Sequence, residues 1–478
     1  MASLRQPWWT GCVLYQAYPR SFADSNGDGI GDLPGLCARL DYLHWLGIDG
    51  IWINPTFPSP DRDWGYDVSD YCGVHPDLGT IEDLDALIAA ADELGIRILL
   101  DLVPAHTSDH QHQWFIESRS SRESPRRQWY IWRDEADGQE SVFGGRAWTY
   151  DEPTGEYYHH LFLSGQPDLN WMHPDVRDAF EEILRFWFDR GVAGFRIDVV
   201  HELVKDPPSQ ANRSEIHSVL RRWRELANGQ DPERLLLGET WVMDLDELAT
   251  FYGRTDELQL GFNFPFMFAG LDATALADVV KRTEAVLPGG ALPVWALSNH
   301  DVVRFPTRVC DEDDAKVRCA LLALLTLRGT SVLYYGDELG MRQAEIPADR
   351  VLDVHGRDGA RTPMPWGDVE WRAPWLPLGG GVASVAEQRA DRGSVLSFSR
   401  EAIALRRSRD DLLTGSYTPL TGDPGVWAWR RGGGTGVALN LTDSPANLSL
   451  VGEVLLSTKG RDDPSRLEPW EGVVVALT

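Results

Sequence analysis

Gly191-Val-Ala-Gly-Phe-Arg-Ile-Asp-Val-Val200 is a short apolar run broken by one arginine and one aspartate two residues apart. Successive side chains of a strand point to opposite faces, so Arg196 and Asp198 share one face while Phe195, Ile197 and Val199 take the other. A strand buried on both faces of a parallel barrel reads as near-continuous Val, Ile and Phe. A charged pair at its C-terminal end is costly unless it is paired, and that end is where barrel enzymes carry their chemistry. Two readings stand at this point: an ion pair holding two strands, or part of a site.

Working outward, the flanking text alternates strand-like runs with helix-period runs. Cys12-Val-Leu-Tyr-Gln-Ala-Tyr18 reads as a first strand, and Leu33, Leu36, Leu40, Leu43 and Leu46 recur at helical spacing behind it. Strand 48–55, helix 81–94 and strand 96–103 follow. The period then fails from Pro104 to Trp171, a stretch rich in His, Trp, Ser, Arg and Gly and too long for an ordinary loop. We read it as an inserted small domain. Helix 175–190 returns the chain to the opening stretch. Next come helix 213–226, strand 234–241, helix 245–252, a strand near 260–268, helix 273–286, strand 292–299, helix 314–328 and strand 330–335. Eight strands alternating with helices predict a closed parallel (β/α)8 TIM barrel of the α/β class with right-handed crossovers. Residues 340–377 form a Gly- and Pro-rich loop. From about Asp410 the text changes to short β-type runs separated by Gly turns, which predicts a C-terminal antiparallel β-sandwich. The expected division is 1–103 with 172–409 for the barrel, 104–171 for the insert and 410–478 for the sandwich.

Composition narrows the partners. A net charge of −28 without Lys/Arg clusters argues against nucleic acid and anionic membrane and for a neutral ligand. Five widely spaced cysteines suggest neither a disulfide framework nor a zinc site. The opening residues lack an apolar signal region and no run of about 18 apolar residues occurs, so a soluble, cytoplasmic protein is expected. Twenty tryptophans suit stacking on sugar faces, although core packing also uses them. At the C-terminal ends of the expected strands stand Asp67 after the second, Asp101 and His106 at the third, Arg196 and Asp198 at the fourth, Glu239 at the fifth, and His300 and Asp301 at the seventh. Core packing gives no reason for carboxylates on strand end after strand end. They fit glycosidic bond cleavage, which needs one ionised and one protonated carboxyl group.

Asp101-Leu-Val-Pro-Ala-His106, Gly194-Phe-Arg-Ile-Asp198, Gly238-Glu-Thr-Trp241 and Ser298-Asn-His-Asp301, in this order, resemble the signature regions of the α-amylase family, glycoside hydrolase family 13. Gln166-Pro-Asp-Leu-Asn170 and Gly65-Tyr-Asp-Val-Ser-Asp-Tyr71 resemble its oligo-1,6-glucosidase and α-glucosidase branch. The resemblance implies Asp198 as nucleophile, Glu239 as general acid/base and Asp301 as a third carboxylate holding sugar hydroxyls. It also implies that Tyr66, Asp67, His106, Phe162, Gln166, Arg196 and His300 contact the substrate glucose. Asp358-Gly-Ala-Arg-Thr-Pro-Met-Pro-Trp366 resembles the branch's segment after the eighth strand, whose arginine, here Arg361, would pair with Asp67 and close a blind pocket. The chemical expectation beside this is that Arg196 lowers the pKa of Asp198, while the histidines donate hydrogen bonds to sugar hydroxyls. The resemblance implies an exo-acting retaining α-glucosidase acting on a small oligosaccharide or disaccharide. The alternatives are a transglucosylase or sucrose/trehalose-type isomerase on the same scaffold, and a non-catalytic relative, which would need a membrane anchor.

Asp24-Ser-Asn26-Gly-Asp28-Gly-Ile30-Gly-Asp32 places oxygens at alternate positions around Gly, like the start of a calcium loop, but lacks the closing acid, with Gly35 at position twelve. An Asx-turn loop is the competing reading. By the resemblance a structural Ca²⁺ or Mg²⁺ is expected on Asp24, Asn26, Asp28, Ile30 and Asp32. Two residues depart from the family pattern. Ala105 stands where relatives have Asn, which puts a second metal site near the insert in doubt. Val199 after the nucleophile accompanies α-1,6 cleavage in this branch, while the text that follows it is unlike typical isomaltases.

Overall fold

In the computed structural model, which describes residues 6–205, 214–368, 371–447, 450–461 and 466–478, the opening stretch forms a four-residue strand at the centre of a parallel barrel. The strands are β1 (Val13–Ala17), β2 (Gly50–Ile53), β3 (Arg97–Leu102), β4 (Gly194–Ile197), β5 (Leu235–Gly238), β6 (Leu260–Gly261), β7 (Val294–Ala296) and β8 (Thr330–Tyr334). They pair in chain order from β1 to β6, β7 pairs with β8, and β8 pairs with β1. A parallel bridge between Phe262 and Val294 joins β6 to β7 and closes the barrel. Gly194 is needed where β4 meets β5, because a Cβ there would lie 2.2 Å from the Leu235 carbonyl oxygen.

The barrel interior is layered, and the layers place the site. Leu14, Trp52, Leu99, Leu235, Leu237, Leu260, Phe262, Val294, Ala296 and Val332 make one buried apolar cluster at the lower end. Fully burying side chains of this size stabilises the fold by about 1.5–3 kcal/mol each. Two residues further along the same strand faces stand Gln16, Asn54, Asp101, Arg196 and Glu239, all 5% exposed or less. Asp101 and Arg196 are register partners across β3 and β4. The period-2 alternation thus turns an apolar floor into a polar upper layer at the C-terminal mouth.

Several expectations are corrected in detail. The expected helix over 33–46 is two helices, Leu33–Ala38 and Leu40–Leu46, broken at Arg39, whose guanidinium lies 4.1 Å over Trp366 and pairs with Asp368 at 2.8 Å. The expected strand 260–268 ends at Gly261. Asn263 accepts a hydrogen bond from the Phe266 N–H, Pro265 sits in the first turn, and Phe264–Phe268 becomes a helix. Helix 213–226 is observed as Ser214–Asn228, and Arg213 lies outside the described residues. A helix at Val395–Ser408 had no counterpart in the sequence reading. Its fully buried Arg406 donates to the carbonyls of Gly11, Leu325, Leu327 and Gly329, sealing the barrel floor between β8 and β1.

Between β3 and β4 the chain carries the helix Gln113–Ser118 and a three-stranded antiparallel sheet with Glu156–His159 in the middle, flanked by Trp132–Arg133 and Trp148–Asp151. After residue 410 a five-stranded antiparallel sheet packs through Val426, Ala428, Val473 and Val475 against Ala446 and Leu467 of a two-stranded sheet. No helix among the described residues is long and apolar enough to cross a membrane.

Candidate active site

Asp198 and Glu239 follow directly on β4 and β5, and the backbone ties their positions together. The Asp198 N–H donates to the Leu102 carbonyl at 2.8 Å, and the Glu239 N–H to the Ile197 carbonyl at 2.8 Å. Arg196, 1% exposed, spans the acids beside it: Nη1 is 2.7 Å from Asp198 Oδ1 and 2.9 Å from Asp101 Oδ1, and Nη2 is 2.8 Å from Glu239 Oε2. Its charge is therefore shared among three carboxylates. Arg196 lowers the Asp198 carboxyl as expected, but its pull is divided and other groups outweigh it. Burial pushes the Asp198 carboxyl well above the usual range, Arg196 pulls it back only in part, and Glu239, Asp101 and Asp301 push it further. Burial likewise raises Asp101 to about 6 against the pull of Arg196.

Asp301 and His300 form the opposite wall. Asp301 Oδ1 accepts from Arg361 Nη2 at 3.0 Å and Arg357 Nη1 at 3.3 Å, and His300 Nε2 is 3.1 Å from Oδ2. Burial opposes ionisation of Asp301, but His300, Arg357 and Arg361 together hold it well below the usual carboxylate range. Gln16 Nε2 donates to His300 Nδ1 at 2.9 Å, which leaves the proton of the neutral ring on Nε2, 2.6 Å from the Tyr66 hydroxyl. Tyr66 in turn donates to Asp101 Oδ2 at 3.1 Å.

The end of the pocket is built by residues four places from those expected. Asp67 is fully buried and faces its own loop, accepting from Ser59 Oγ at 2.7 Å and from the N–H groups of Arg62 and Asp63 at 3.1 Å. It does not meet Arg361, which donates instead to the His300 carbonyl at 2.8 Å and to Asp301. The closing pair is Asp63 with Arg357, at 2.6 Å, and Arg357 is also held by Asp353 at 2.8 Å. Gln166 donates to Asp63 Oδ2 at 3.0 Å and lies 3.1 Å from His106 Nε2, so it supports the wall from behind. His106 Nε2 is also 3.0 Å from the Tyr66 carbonyl, and Phe162 packs edge-on to the His106 ring.

These groups surround a cavity of about 640 Å³ lined by Asp63, Tyr66, His106, Phe162, Asp198, Val199, Glu239, Asp301 and Arg357, with Trp241, Phe143 and His355 at its rim. Its size suits a small ligand. Of the residues expected at the substrate, Gln166, Arg196, His300 and Arg361 stand behind this lining, and Asp67 lies off it. The sequence reading missed Asp63, Arg357, Trp241, Phe143 and His355. The signal for the first two was close by, since Asp63 and Arg357 lie just ahead of the two stretches singled out, each four residues before its like residue, Asp67 and Arg361.

The buried histidines make stability acid-sensitive. Burial lowers His106 to about 4 and His112 to about 3, while an unfolded histidine titrates near 6.5. Between these values the unfolded chain binds more protons at these rings than the folded one, so their contribution to stability rises with pH across this window and is lost as acid is added. The raised carboxyl of Asp101 works the other way over the same window, so the histidine contribution is read from a variant rather than from the net midpoint. His112 Nδ1 accepts the Trp114 N–H at 3.2 Å as the cap of helix Gln113–Ser118, and its protonation removes that cap. A His112→Gln variant should show a shallower dependence when thermal unfolding is followed at several pH values.

The loop 24–32 offers only hard oxygens, which suits Ca²⁺ or Mg²⁺. Asp24, Asn26 and Asp28 accept nearby backbone N–H groups, such as Asp24 Oδ1 from Gly27 at 2.6 Å and Asp28 Oδ1 from Ile30 at 2.8 Å. Asp32, also in the expected ligand set, has local partners of its own. It is 3% exposed, and its oxygens serve the Gly35 N–H as a helix cap at 2.6 Å and Ser25 Oγ at 2.8 Å. Among the described residues, the acids that bring three ligand atoms within 4.8 Å of one another are Asp61 and Asp77 with His75. There the Arg20 guanidinium, 2.6 Å from Asp61 and 3.3 Å from Asp77, supplies the positive charge. Near Ala105, the fully buried Asp168 pairs with Lys205 Nζ at 2.5 Å, so an ammonium provides the cation beside the insert.

Comparison with known proteins agrees with this geometry. The family model for the alpha amylase catalytic domain matches residues 16–415. A probable alpha-glucosidase of Rhizobium meliloti is 39% identical over 87% of this chain and 86% of its own length. The glucan 1,6-alpha-glucosidase of Streptococcus dysgalactiae subsp. equisimilis is 34% identical over 99% of this chain and its full length, 100%. Among solved structures, the alpha-glucosyl transfer enzyme XgtA aligns with a TM-score of 0.92 and 36% identity over 99% of this chain and 100% of its own. The trehalulose synthase MutB of Pseudomonas mesoacidophila MX-45 aligns at 0.93 with 32% identity over the same shares, 99% and 100%. Taken with the carboxylates at the barrel mouth, these matches make the chain a glycoside hydrolase that belongs to the α-amylase family, family 13, in its oligo-1,6-glucosidase and α-glucosidase branch.

Proposed function

We propose that the protein is an exo-acting, retaining α-glucosidase that releases glucose from short α-1,4- or α-1,6-linked glucosides. The observation that carries this is the single guanidinium of Arg196 spanning Asp198 and Glu239 at 2.7 and 2.8 Å. It supports the close carboxylate spacing of about 5–5.5 Å on which a retaining mechanism depends. Arg196 engages Oδ1 of Asp198, and no hydrogen bond engages Oδ2 among the described residues, so Oδ2 is the attacking atom. It bonds to the anomeric carbon as Glu239 passes its proton to the departing oxygen. Water then attacks the β-glucosyl ester, gives a proton to Glu239 and frees the Asp198 carboxylate. The Asp63–Arg357 pair behind these acids supports a blind end with room for one terminal glucose.

A second reading is transglucosylation or isomerisation. It is favoured by Trp241, which is 38% exposed beside Glu239 and stacks on Phe264 at 4.4 Å, a platform on which an acceptor sugar could displace water. Incubation with maltose, isomaltose, sucrose and trehalose separates the two. Glucose as the main product from maltose or isomaltose is the expected result. Sucrose isomers or lengthened oligosaccharides in place of free glucose would reverse the preference. Rapid mid-chain cutting of soluble starch would contradict the blind end.

We further propose that the 24–32 loop takes Ca²⁺ or Mg²⁺ as a structural ion on Asp24, Asn26, Asp28, the Ile30 carbonyl and Asp32. An ion that binds the folded chain raises its melting midpoint by mass action. A midpoint that rises with added Ca²⁺ or Mg²⁺ and falls with chelator is the expected result, and Asp28→Ala should abolish the response. An indifferent midpoint would leave the loop as a run of Asx turns.

A further inference from the structure

Val199, between Asp198 and the 3₁₀ turn Val200–Glu202, stands at φ 42°, ψ 42°. A β-branched residue is crowded in this left-handed region and persists there only where its surroundings impose it. The consequence is a directed donor. The Val199 N–H points at Glu239 and lies 2.9 Å from Oε2. The same oxygen receives Arg196 Nη2 at 2.8 Å, while the Val200 N–H takes the Glu239 carbonyl at 3.2 Å. No hydrogen bond among the described residues engages Oε1, and Glu239 lines the cavity.

We propose that Val199 is a positioning residue whose backbone N–H fixes Oε2 of Glu239, so that Oε1 is the oxygen that delivers the proton to the departing glycosidic oxygen and recovers it from water. This rests on the reading of Glu239 as the acid/base. In the first step Oε1 loses its proton to the glycosidic oxygen as the bond from that oxygen to the anomeric carbon breaks and Asp198 forms the new one. In the second, water bonds to the anomeric carbon, its proton returns to Oε1, and the ester to Asp198 breaks. Oε2 stays in place throughout, accepting the same two donors. One turn therefore aims both reacting carboxylates: it follows Asp198 in the chain and carries the donor that holds Glu239. The strain at Val199 is the local cost of that arrangement.

The test uses the whole protein labelled with [¹⁵N]valine, the Val199 amide being identified by its loss in Val199→Ala. Its proton shift is followed against pH beside kcat/KM for an aryl α-glucoside. The expected result is an amide that titrates with the midpoint of the basic limb, and the loss of both titration and limb in Glu239→Gln. Replacing the Val199 amide by an ester removes the N–H and keeps the side chain. A donor to a carboxylate favours its ionised form, so the limb should move up by about half to one pH unit. The kcat/KM of a poor leaving group should fall about tenfold, while that of a dinitrophenyl glucoside, which reports only the first step and needs no proton there, stays within about twofold. A pH-invariant Val199 amide beside an intact limb that Glu239→Gln abolishes would overturn the inference alone. A limb surviving in Glu239→Gln would overturn the acid/base reading itself.

Discussion

Incubated with an activated aryl α-glucoside and azide, Glu239→Ala is expected to yield α-glucosyl azide, and Asp198→Ala β-glucosyl azide. In Glu239→Ala the nucleophile survives and a good leaving group departs without protonation, so the β-linked glucosyl-enzyme forms and stalls for want of a base. Azide needs no base. It attacks from the α face and restores turnover. On a disaccharide, where the leaving oxygen needs a proton, the same variant should lose about 10²–10⁴-fold in kcat. In Asp198→Ala no ester forms, and azide in the vacated space attacks the substrate directly and inverts it. Disaccharide hydrolysis there should fall by at least about 10⁴-fold, as for other lost nucleophiles. Asp198→Ala also leaves Arg196 to Asp101 and Glu239 alone, at 2.9 and 2.8 Å, so the positive charge stays paired and the fold should hold. Exchanged anomers, or an inverted azide from Asp301→Ala instead, would end the assignment.

The second large effect is expected at the closing pair. Arg357→Ala leaves Asp63, 5% exposed, without its partner at 2.6 Å and removes one of the two arginines on Asp301. Stripping one member from a buried pair costs about 3–5 kcal/mol, part of it felt when substrate binds. The expected loss in kcat/KM on a disaccharide is about 10²–10³-fold. With the blind end breached, activity on longer oligosaccharides relative to disaccharides should rise. Asp67→Ala supplies the contrast. Its three hydrogen bonds hold the loop that carries Asp63 and Tyr66, so it should lower the melting midpoint, and its KM should change less than that of Arg357→Ala. Equal KM effects from the two would show that the end of the pocket has been misread.

The sequence by itself determined what depends on neighbours along the chain. Alternation in a strand is local, so Arg196 and Asp198 could be placed on one face from periodicity alone. Strand ends were legible for the same reason, which is why Asp198, Glu239, Asp301 and His106 fall on the cavity, while Tyr66 and Phe162 came from the family resemblance. The tertiary structure alone decided which partner each charge takes. Asp63 and Arg357 are 294 residues apart, and nothing local distinguishes them from Asp67 and Arg361. The choice follows from how two loops fold back over the mouth. The same holds for Arg196, whose effect on Asp198 depended on two further carboxylates brought in by other strands, and for Arg406, a charged residue that reads as surface yet is buried because four backbone carbonyls surround it. Burial and long-range pairing are properties of the closed barrel, since the cost of removing a charge from water is set by everything packed around it.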